Sequence, residues 1–339
     1  MSGRIFIHHG ARNAEFGSVN TLNKIIEEDL DFIVSQNVPW DKLENKDILI
    51  AGANGFIPSY LVYTLQKLIP SENITLIIRD YNKAREKFGD SVKVIVSDIC
   101  QDWLQHVPSI YDYIIHAASK ANPESFIKNP VDVALSNTIG TYNLLEMSMN
   151  CEGFLFLSSG EIYKEIDPLN IKSCYPESKR MGENLCSCYY HQYGVPAKIA
   201  RLFHIYGPGM DLNDGRLISE FAGSILNKRD IQLESEGLDV RTYTYVADAV
   251  VALFKILLEG NPAEAYNVGA PFTEISIHEL ALLLINKYPE LNLKVKKGKI
   301  QEKINRIIPD VSKIQKELSW IPQYGLVSGF KRTIESYKI

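Results

Sequence analysis

The feature that most constrains this chain is an alternation of short apolar runs with helix-length segments, beginning at Lys46. The apolar runs are nearly continuous, as in strands that are covered on both faces. In chain order they are DILIAG, NITLIIRD, VKVIVSDI, YDYIIHAAS, FLFLSSG and VPAKIARLF. The intervening segments predict helices from Gly55 to about Ile69, from Asn82, from Pro130 to Met149 and from Tyr175 to Tyr193. Strands that alternate with helices form parallel sheets, so the sequence predicts an α/β fold of the Rossmann type with a doubly wound parallel sheet.

Three parts are expected along the chain. Residues 46–205 hold the predicted sheet, and residues 206–339 mainly form a smaller lobe over the carboxyl ends of the strands, where open α/β sheets bind ligands. In this lobe we expect helices at about 215–227, 246–259, 277–287, 310–318 and 325–337, and strands near 242–245, 264–268 and 292–296. Residues 1–45 are an N-terminal extension with one amphipathic helix, which packs against the main domain or against a partner subunit. The apolar face of that helix is Leu22, Ile25, Ile26, Leu30 and Ile33, with acidic residues opposite.

Composition excludes several classes of protein. The 339 residues are 45% hydrophobic and 23% charged, with a formal net charge of −5, so no nucleic-acid or anionic-membrane partner is expected. The N-terminus does not resemble a signal peptide, and no apolar run approaches the ~20 residues of a membrane span, so we expect a cytoplasmic protein. The five cysteines form neither a CxxC pair nor a metal-ligand spacing with histidine, which favours reduced structural thiols and no metal site.

A glycine-containing turn joins the first predicted strand to the first helix of the domain. It reads Gly52-Ala53-Asn54-Gly55 and is followed by Phe56 and Ile57. Such a turn lets the backbone approach a dinucleotide pyrophosphate at a helix N-terminus, where free N–H groups favour anions. Pro58 replaces the third glycine of the usual pattern, and proline is tolerated in a first helical turn. We therefore expect a dinucleotide cofactor at this turn.

The residues after the second strand bear on the choice of cofactor. An acidic residue there accepts a hydrogen bond from the ribose 2′-hydroxyl of NAD, whereas arginine suits the 2′-phosphate of NADP. Arg79 and Asp80 therefore point in opposite directions. Asp98, after the third strand, is within reach of the adenine or is a surface acid. We expect NAD, with NADP as the alternative because of Arg79.

A hydroxyl, a phenol and an ammonium follow in the second half of the predicted sheet. Tyr175 and Lys179 lie one helical turn apart, so their side chains share a face, and Ser159 ends the preceding strand. A neighbouring ammonium and a nearby oxidised nicotinamide both favour phenolate, so we expect a lowered pKa for Tyr175, which could then take a proton from a substrate hydroxyl. With a dinucleotide turn upstream, these three residues indicate hydride chemistry.

From Asp47 to Tyr337 the sequence resembles the extended short-chain dehydrogenase/reductases that modify nucleotide sugars. The matching segments are GANGF, HAAS, NTIGTYNLLE, LSSGEIY, YPESK, RLFHIYGPG, NDGRLISEF, VRTYTYVADAV, AYNVG and the closing DVSKIQKELSWIPQYGLVSGFKRTIESY. The resemblance implies Ser159, Tyr175 and Lys179 as the catalytic group and a bound nicotinamide cofactor that transiently oxidises the sugar at C4. It makes residues 46–205 the NAD(P)-binding domain and the following lobe the nucleotide-sugar-binding part. It further implies cofactor contacts at Ile99, Ala117, Ala118, Ser119 and Asn137.

The resemblance also assigns the substrate side. Arg216 and Arg241 are implied to hold the nucleotide diphosphate, a role that suits the guanidinium group. His204 stands where the family often has asparagine, and a hydrogen-bonded structural role is its alternative. The family further implies a homodimer packed through the helix that carries Tyr175 and Lys179.

Within this family the residues after Ser159 distinguish reactions. Dehydratases resemble a Thr-Asp-Glu arrangement, whereas this chain has Ser159, Gly160 and Glu161, and glycine cannot donate a proton. Glu161, Arg241 and the segment MDLNDGRLISEF look most like UDP-glucuronate decarboxylases, although Glu161 has an alternative role as a hydrogen-bonding partner in the loop. We therefore expect decarboxylation of a UDP-hexuronic acid. C4 epimerisation is the second reading, reduction of a ketosugar by NADPH the third, and non-catalytic nucleotide-sugar binding a remote fourth.

One segment departs from the family pattern. Only eleven residues separate Tyr163 from Tyr175, where the family usually has a longer substrate-contacting loop, and Lys164 replaces the glycine of its usual Tyr-Gly pair. Substrate contacts are therefore expected to differ in this segment.

Overall fold

The computed structural model describes Ile7–His8 and residues 22–101, 111–301 and 303–338. Its strands are β1 (Ile7–His8), β2 (Ile48–Ala51), β3 (Ile74–Ile78), β4 (Lys93–Val96), β5 (Tyr113–His116), β6 (Gly153–Ser159), β7 (Ala197–Leu202), β8 (Ile205–Tyr206), β9 (Ile231–Gln232), β10 (Val240–Arg241), β11 (Thr244–Tyr245), β12 (Ala265–Val268), β13 (Ile275–Ser276), β14 (Val295–Lys296) and β15 (Arg306–Ile307). Its helices are α1 (Lys24–Ser35), α2 (Phe56–Leu68), α3 (Tyr81–Phe88), α4 (Pro123–Lys128), α5 (Pro130–Asn137), α6 (Ile139–Glu146), α7 (Cys174–Tyr193), α8 (Leu217–Leu226), α9 (Val246–Glu259), α10 (Ile277–Ile285), α11 (Ser312–Leu318) and α12 (Leu326–Glu335).

The main sheet confirms the predicted Rossmann-type α/β fold. Its strand order is β1-β4-β3-β2-β5-β6-β7-β12, and all neighbours pair in parallel except β1, which is antiparallel to β4. Strands β2, β3 and β5 are buried along their whole length, as their near-continuous apolarity predicts. The chain order reverses between β3 and β5 on either side of β2. A crevice forms at the carboxyl ends of strands at such a reversal, and ligands bind there.

Several elements differ from the sequence prediction. The helix expected over 130–149 is two helices, α5 and α6, which are separated at Thr138. The Thr138 hydroxyl donates to Ala134 O at 2.9 Å, and the Thr138 backbone N–H is shared between Ala134 O and Leu135 O. A side chain that hydrogen-bonds the preceding turn bends a helix, which accounts for the break. The short helix α4 was not predicted, and the strand expected near 264–268 joins the main sheet as β12 instead of lying in the lobe.

The part of the N-terminal extension that the structure describes from residue 22 onwards packs within its own chain. Leu30 and Ile33 of α1 are buried in the main core, as expected from the apolar face. The acids were expected on the opposite face, but Asp29 is completely buried. Its carboxylate accepts hydrogen bonds from Tyr60 of α2, from Tyr245 of β11 at 2.8 Å, and from Arg332 of α12 at 2.8 Å. This carboxylate therefore ties α1 to the main domain and to the C-terminal helix.

The smaller lobe begins where β7 ends. Strand β8 follows β7 almost directly and pairs in parallel with β11, which leads into the buried helix α9. The lobe also contains a three-stranded sheet in the order β13-β10-β15 and the pair β14-β9. This connectivity brings β10 and the loop after β8 to the carboxyl edge of the main sheet. In the described ranges, none of the helices is long and apolar enough to cross a membrane. The cytoplasmic location stays a prediction.

Candidate active site

The glycine turn between β2 and α2 has the geometry of a backbone cradle. Gly52 has φ +85°, and a Cβ added there would lie 2.6 Å from the Cα of Ala118, which follows β5. The turn therefore brings the ends of two neighbouring strands into direct backbone contact, and only glycine fits there. Gly55 is the N-cap of α2 and provides no side-chain cap, so the amides of Phe56 and Ile57 open the helix without one.

Two polar side chains beside this turn have buried atoms without a partner. Asn54 donates from Nδ2 to Asp80 O at 2.9 Å, but its Oδ1 is buried and has no hydrogen-bond partner among the described residues. The hydroxyl of Ser119 is in the same state. Buried polar atoms are normally satisfied, so these two fit a site that a polar ligand completes. Pro58 lies in the first turn of α2, as predicted.

The residues expected at the adenosine end are partly engaged by their own loops. Asp80 caps α3 by accepting from the Lys83 amide at 3.0 Å. Asp98 accepts from the Cys100 amide at 2.9 Å and lies 3.9 Å from the exposed guanidinium of Arg79. Arg79 is thus paired with an acid. The cap of α3 uses Oδ1 of Asp80 and not its second carboxylate oxygen.

Two further residues expected to contact the cofactor, Asn137 and Ile99, are held by contacts with α7 and α6. Asn137, at the end of α5, is completely buried and donates from Nδ2 to the Ser178 hydroxyl of α7 at 3.0 Å. Ile99 is held from α6, because Asn143 donates to its carbonyl at 2.7 Å and Gly140 leaves room for its side chain. The structure therefore places Asn137 where it fixes the catalytic helix.

The predicted catalytic group is brought together at the ends of β6 and α7. Ser159 ends β6, and its hydroxyl accepts from the Glu161 amide at 3.2 Å. Tyr175 and Lys179 of α7 are both buried, and Lys179 Nζ donates to Leu157 O at 2.6 Å. The Lys179 ammonium lies 4.7 Å from the ring centroid of Phe156 and 5.9 Å from that of Tyr175. The lysine is thus fixed against β6 and beside the phenol.

The expectation of a lowered Tyr175 pKa is wrong for the protein without ligands. Burial raises the pKa of the phenol, while the Ser159 hydrogen bond and the Arg216 charge act in the opposite direction. Burial also lowers the pKa of Lys179 to about 7, an effect that the Glu183 carboxylate opposes. The sequence argument counted neighbouring charges and omitted desolvation, which is the largest cause for both groups.

The sequence did not reveal the hydrogen-bonded carboxylate whose charge acts on Lys179. Glu183 lies one turn further along α7 and accepts from the Ser158 hydroxyl at 2.5 Å. Arg201, at the end of β7, donates to both oxygens of this carboxylate. Phe126 of α4 was also missed, and its ring packs on that of Tyr175. Neither arrangement has a local sequence signal, because each joins segments distant in the chain.

A cluster of cations surrounds His204 at the start of the lobe. His204 is half-buried, with a positive φ of +42°, and its pKa is lowered to about 3. Burial is the largest cause, followed by the charges of Arg241, Lys164 and Arg216. Arg216 is oriented by Ala121 O at 3.1 Å, and Arg241 Nε is buried without a partner among the described residues. Arg216 and Arg241 also lie 3.5 and 3.7 Å from the carboxylates of Asp214 and Asp239. The buried, unpaired donor of Arg241 nevertheless suits an anionic ligand.

The loop after β6 carries an ion pair at the edge of this cluster. Lys164 Nζ lies 2.6 Å from Glu161 Oε2. Gly160 is packed under Phe203, so that a Cβ there would lie 2.5 Å from the Phe203 ring. An acidic side chain at position 160, as in the dehydratase pattern, has no space in this packing.

Comparison with known proteins identifies the family of this chain. The model of the NAD dependent epimerase/dehydratase family matches residues 48–269. This chain belongs to that family. It is accordingly an NAD(P)-dependent enzyme of the extended short-chain dehydrogenase/reductase type, the kind that modifies nucleotide sugars. The backbone cradle at Gly52 and the unpaired atoms of Asn54 and Ser119 fit the dinucleotide cofactor of such an enzyme.

Relatives and solved structures agree with this membership. UDP-glucuronic acid decarboxylase 3 of Arabidopsis thaliana is 31% identical over 87% of this chain and 90% of its own length. The Bordetella bronchiseptica enzyme WbmF, solved with NADH, has a TM-score of 0.77 and 25% identity, covering 88% of this chain and 93% of its own. The UDP-glucose 4-epimerase of Thermotoga maritima, solved with UDP-glucose, shares the fold with a TM-score of 0.75 at 23% identity, over 86% and 98% of the two chains.

Proposed function

We propose that this enzyme decarboxylates a UDP-hexuronic acid, with UDP-glucuronate as the first substrate to test. The observation that carries the proposal is the loop after β6, where Gly160 has no space for an acid and Glu161 is paired with Lys164. A dehydratase needs a proton donor at that place, whereas a decarboxylase does not, because its leaving group is CO2. The similarity to a UDP-glucuronic acid decarboxylase over nearly the full length of both chains supports the same reaction.

The chain's own residues provide the acid-base chemistry. As a phenolate, which the Arg216 charge favours, Tyr175 takes the proton of the sugar C4 hydroxyl, and Ser159 hydrogen-bonds the same oxygen. When held at the Gly52 turn beside Asn54 and Ser119, NAD would supply the acceptor of the C4 hydride and the source from which C4 recovers it. A ketone at C4 makes the C6 carboxylate part of a β-keto acid. Loss of CO2 then breaks the C5–C6 bond and leaves its electron pair in an enolate that ends on the C4 oxygen.

The remaining steps restore the sugar. C5 takes a proton from solvent, which regenerates the C4 ketone, and Tyr175 returns its proton to O4 when the hydride returns. The Arg216 charge, which acts on Tyr175 in the structure, also favours negative charge on O4 during the reaction. Lys179 anchors the site through Leu157 and holds its ammonium beside the phenol.

For the cofactor we propose NAD over NADP. Arg79 is oriented towards Asp98, and the Asp80 carboxylate at the start of α3 would repel a 2′-phosphate. The NADH in the WbmF structure is in line with this choice. For the substrate diphosphate we propose Arg216 and Arg241, because the unpaired Arg241 Nε and the neighbouring cations provide charge and donors for it.

The test is incubation of the purified protein with UDP-glucuronate, followed by mass analysis of the product and of released cofactor. We expect NAD and a product lighter by carbon dioxide. Tyr175→Phe should abolish turnover while UDP binding remains, since it removes one oxygen from the site. An isobaric product would replace the proposal by C4 epimerisation, and a reaction that needs added NADPH would replace it by ketosugar reduction.

We further propose a homodimer that forms through α5, α6 and α7. Exposed apolar residues recur at four-residue spacing on this surface, at Val131, Leu135 and Ile139, and Met181 of the Tyr175 helix is also exposed. A second copy that covers this face would remove these exposed apolar side chains from water. Leu135→Glu should convert the dimer to a monomer in light scattering, whereas Ile300→Glu, at an exposed apolar residue of the lobe, should leave it unchanged.

A further inference from the structure

Lys164 replaces the glycine of the family's usual Tyr-Gly pair. It lies in a loop whose backbone is held by hydrogen bonds from α7. Arg180 of α7 donates from Nε to Ile162 O at 2.8 Å and from Nη2 to Lys164 O at 2.6 Å. The guanidinium therefore fixes the backbone of the loop to the helix that carries Tyr175 and Lys179. A lysine at this place has a defined position relative to the catalytic phenol.

Lys164 is one of the cations around His204, and it is paired with a carboxylate whose charge acts on the Tyr175 phenol. Its ammonium is 2.6 Å from Glu161 Oε2, and Glu161 follows Ser159 by two residues. The Glu161 charge acts on Tyr175, and the Lys164 charge acts on His204. The two side chains retain 33% and 45% exposure, so a bound ligand can reach both.

A hexuronic acid substrate would bring a second carboxylate, at C6, close to the Glu161–Lys164 pair. Ser159 and Tyr175 hold the C4 oxygen of the sugar, and C6 is two bonds away from C4. A carboxylate at C6 would be repelled by Glu161 and attracted by the ammonium that now neutralises Glu161. We propose that Lys164 leaves Glu161 and pairs with the C6 carboxylate, which makes it the residue that selects acidic over neutral nucleotide sugars.

This inference rests on the proposed function. It predicts that loss of the Lys164 ammonium changes KM without lowering kcat. An ammonium on the C6 carboxylate stabilises the bound substrate but not the transition state for loss of CO2, in which charge moves from the carboxylate to O4. Removing the ammonium should therefore raise KM without lowering kcat. A proton-donating role for Lys164 at C5 would instead lower kcat.

The experiment compares Lys164→Gln, Lys164→Arg and the control Lys172→Gln, all as NAD-loaded holoenzymes. Lys172 is an exposed lysine of the same loop. Calorimetry on each variant combined with Tyr175→Phe, which prevents turnover, gives the dissociation constants of UDP-glucuronate and UDP-glucose. Steady-state assays of the variants with Tyr175 intact give kcat and KM. For Lys164→Gln we expect about tenfold weaker UDP-glucuronate binding, the size of a lost charged hydrogen bond, and unchanged UDP-glucose binding. Lys164→Arg and Lys172→Gln should keep the wild-type ratio of the two affinities.

The outcomes separate this inference from the proposed reaction. Equal weakening of both ligands, unchanged binding of both, or a fall in kcat overturns the role of Lys164, even where the wild-type enzyme releases CO2. A selective loss of UDP-glucuronate binding supports Lys164 even where the wild-type enzyme releases no CO2, in which case decarboxylation alone fails. A wild-type protein that binds neither sugar nucleotide overturns both.

Discussion

The ring of Phe126 stacks on the ring of Tyr175, with centroids 4.7 Å apart and planes inclined by 19°. Phe126 belongs to the short helix α4, which follows the loop at the end of β5, whereas Tyr175 opens α7. The stack covers one face of the buried phenol and connects α4 to α7. It limits the rotation of the ring that we propose to move the proton.

Phe126→Ala should lower kcat by up to about tenfold, since an aromatic pair contributes about 0.5–1.5 kcal/mol beyond its buried area. The loss should fall on kcat more than on KM, because the phenol is misplaced during proton transfer. Steady-state kinetics with UDP-glucuronate provides the measurement. Ile127→Ala changes the next residue of α4, which is exposed, and should match the wild type. Identical losses in both variants would show that α4 acts by its fold and that the stack has no special role.

His116 should make the protein less stable in acid. Burial lowers its pKa to about 3, and its Nε2 lies 3.0 Å from Thr141 Oγ1, whose own hydrogen goes to Asn137 O. The unfolded chain takes up a proton near the ordinary histidine pKa of 6.5, but the folded chain does so only near 3, so stability falls as pH drops through that window.

Between pH 7 and pH 5 this group should cost about 2 kcal/mol of unfolding free energy. Urea denaturation at the two pH values should show that His116→Gln removes most of that loss. His191→Gln, at the exposed end of α7, is the control and should follow the wild type. An acid loss of equal size in His116→Gln would exclude this histidine as its cause.

Arg332 should stabilise the N-terminal helix through the buried Asp29. Arg332→Met leaves that carboxylate with only the hydroxyls of Tyr60 and Tyr245, and an uncompensated buried charge costs about 3–5 kcal/mol. Urea denaturation measures this loss. Lys331→Met removes a neighbouring exposed lysine that pairs with Glu335 at 3.7 Å, and it should change stability little. Asn at position 29 combined with Arg332→Met should recover part of the loss, and a further loss in that double variant would contradict the assignment.

Local patterns carried the prediction of the fold and of the catalytic helix. Apolar runs and intervening helices give the parallel order of β2 to β7, and the spacing of Tyr175 and Lys179 gives their shared face. The cradle at Gly52 was also predictable, because the required backbone conformation belongs to glycine. These features depend on residues close together in the chain.

The parts that could not be predicted depend on tertiary placement. Asp29 reads as a surface acid in its helix, and its burial requires partners as far away as Arg332. The contact of Phe126 with Tyr175 and the fork of Arg201 on Glu183 likewise join distant segments. The direction of the Tyr175 pKa was missed for the same reason, since burial is a property of the assembled site. The catalytic roles of Ser159, Tyr175, Lys179 and Glu161 stay proposals. The substrate-binding roles of Arg216 and Arg241 do so as well.

The most direct measurement of the proposed reaction is conversion of UDP-glucuronate in deuterium oxide, with the product analysed by mass spectrometry and NMR. The account predicts a UDP-pentose that has lost CO2 and carries one non-exchangeable deuterium, at C5, because the enolate takes its proton from solvent while C4 recovers its own hydride. A product that keeps the carboxylate, or one that has lost CO2 without deuterium at C5, would contradict it.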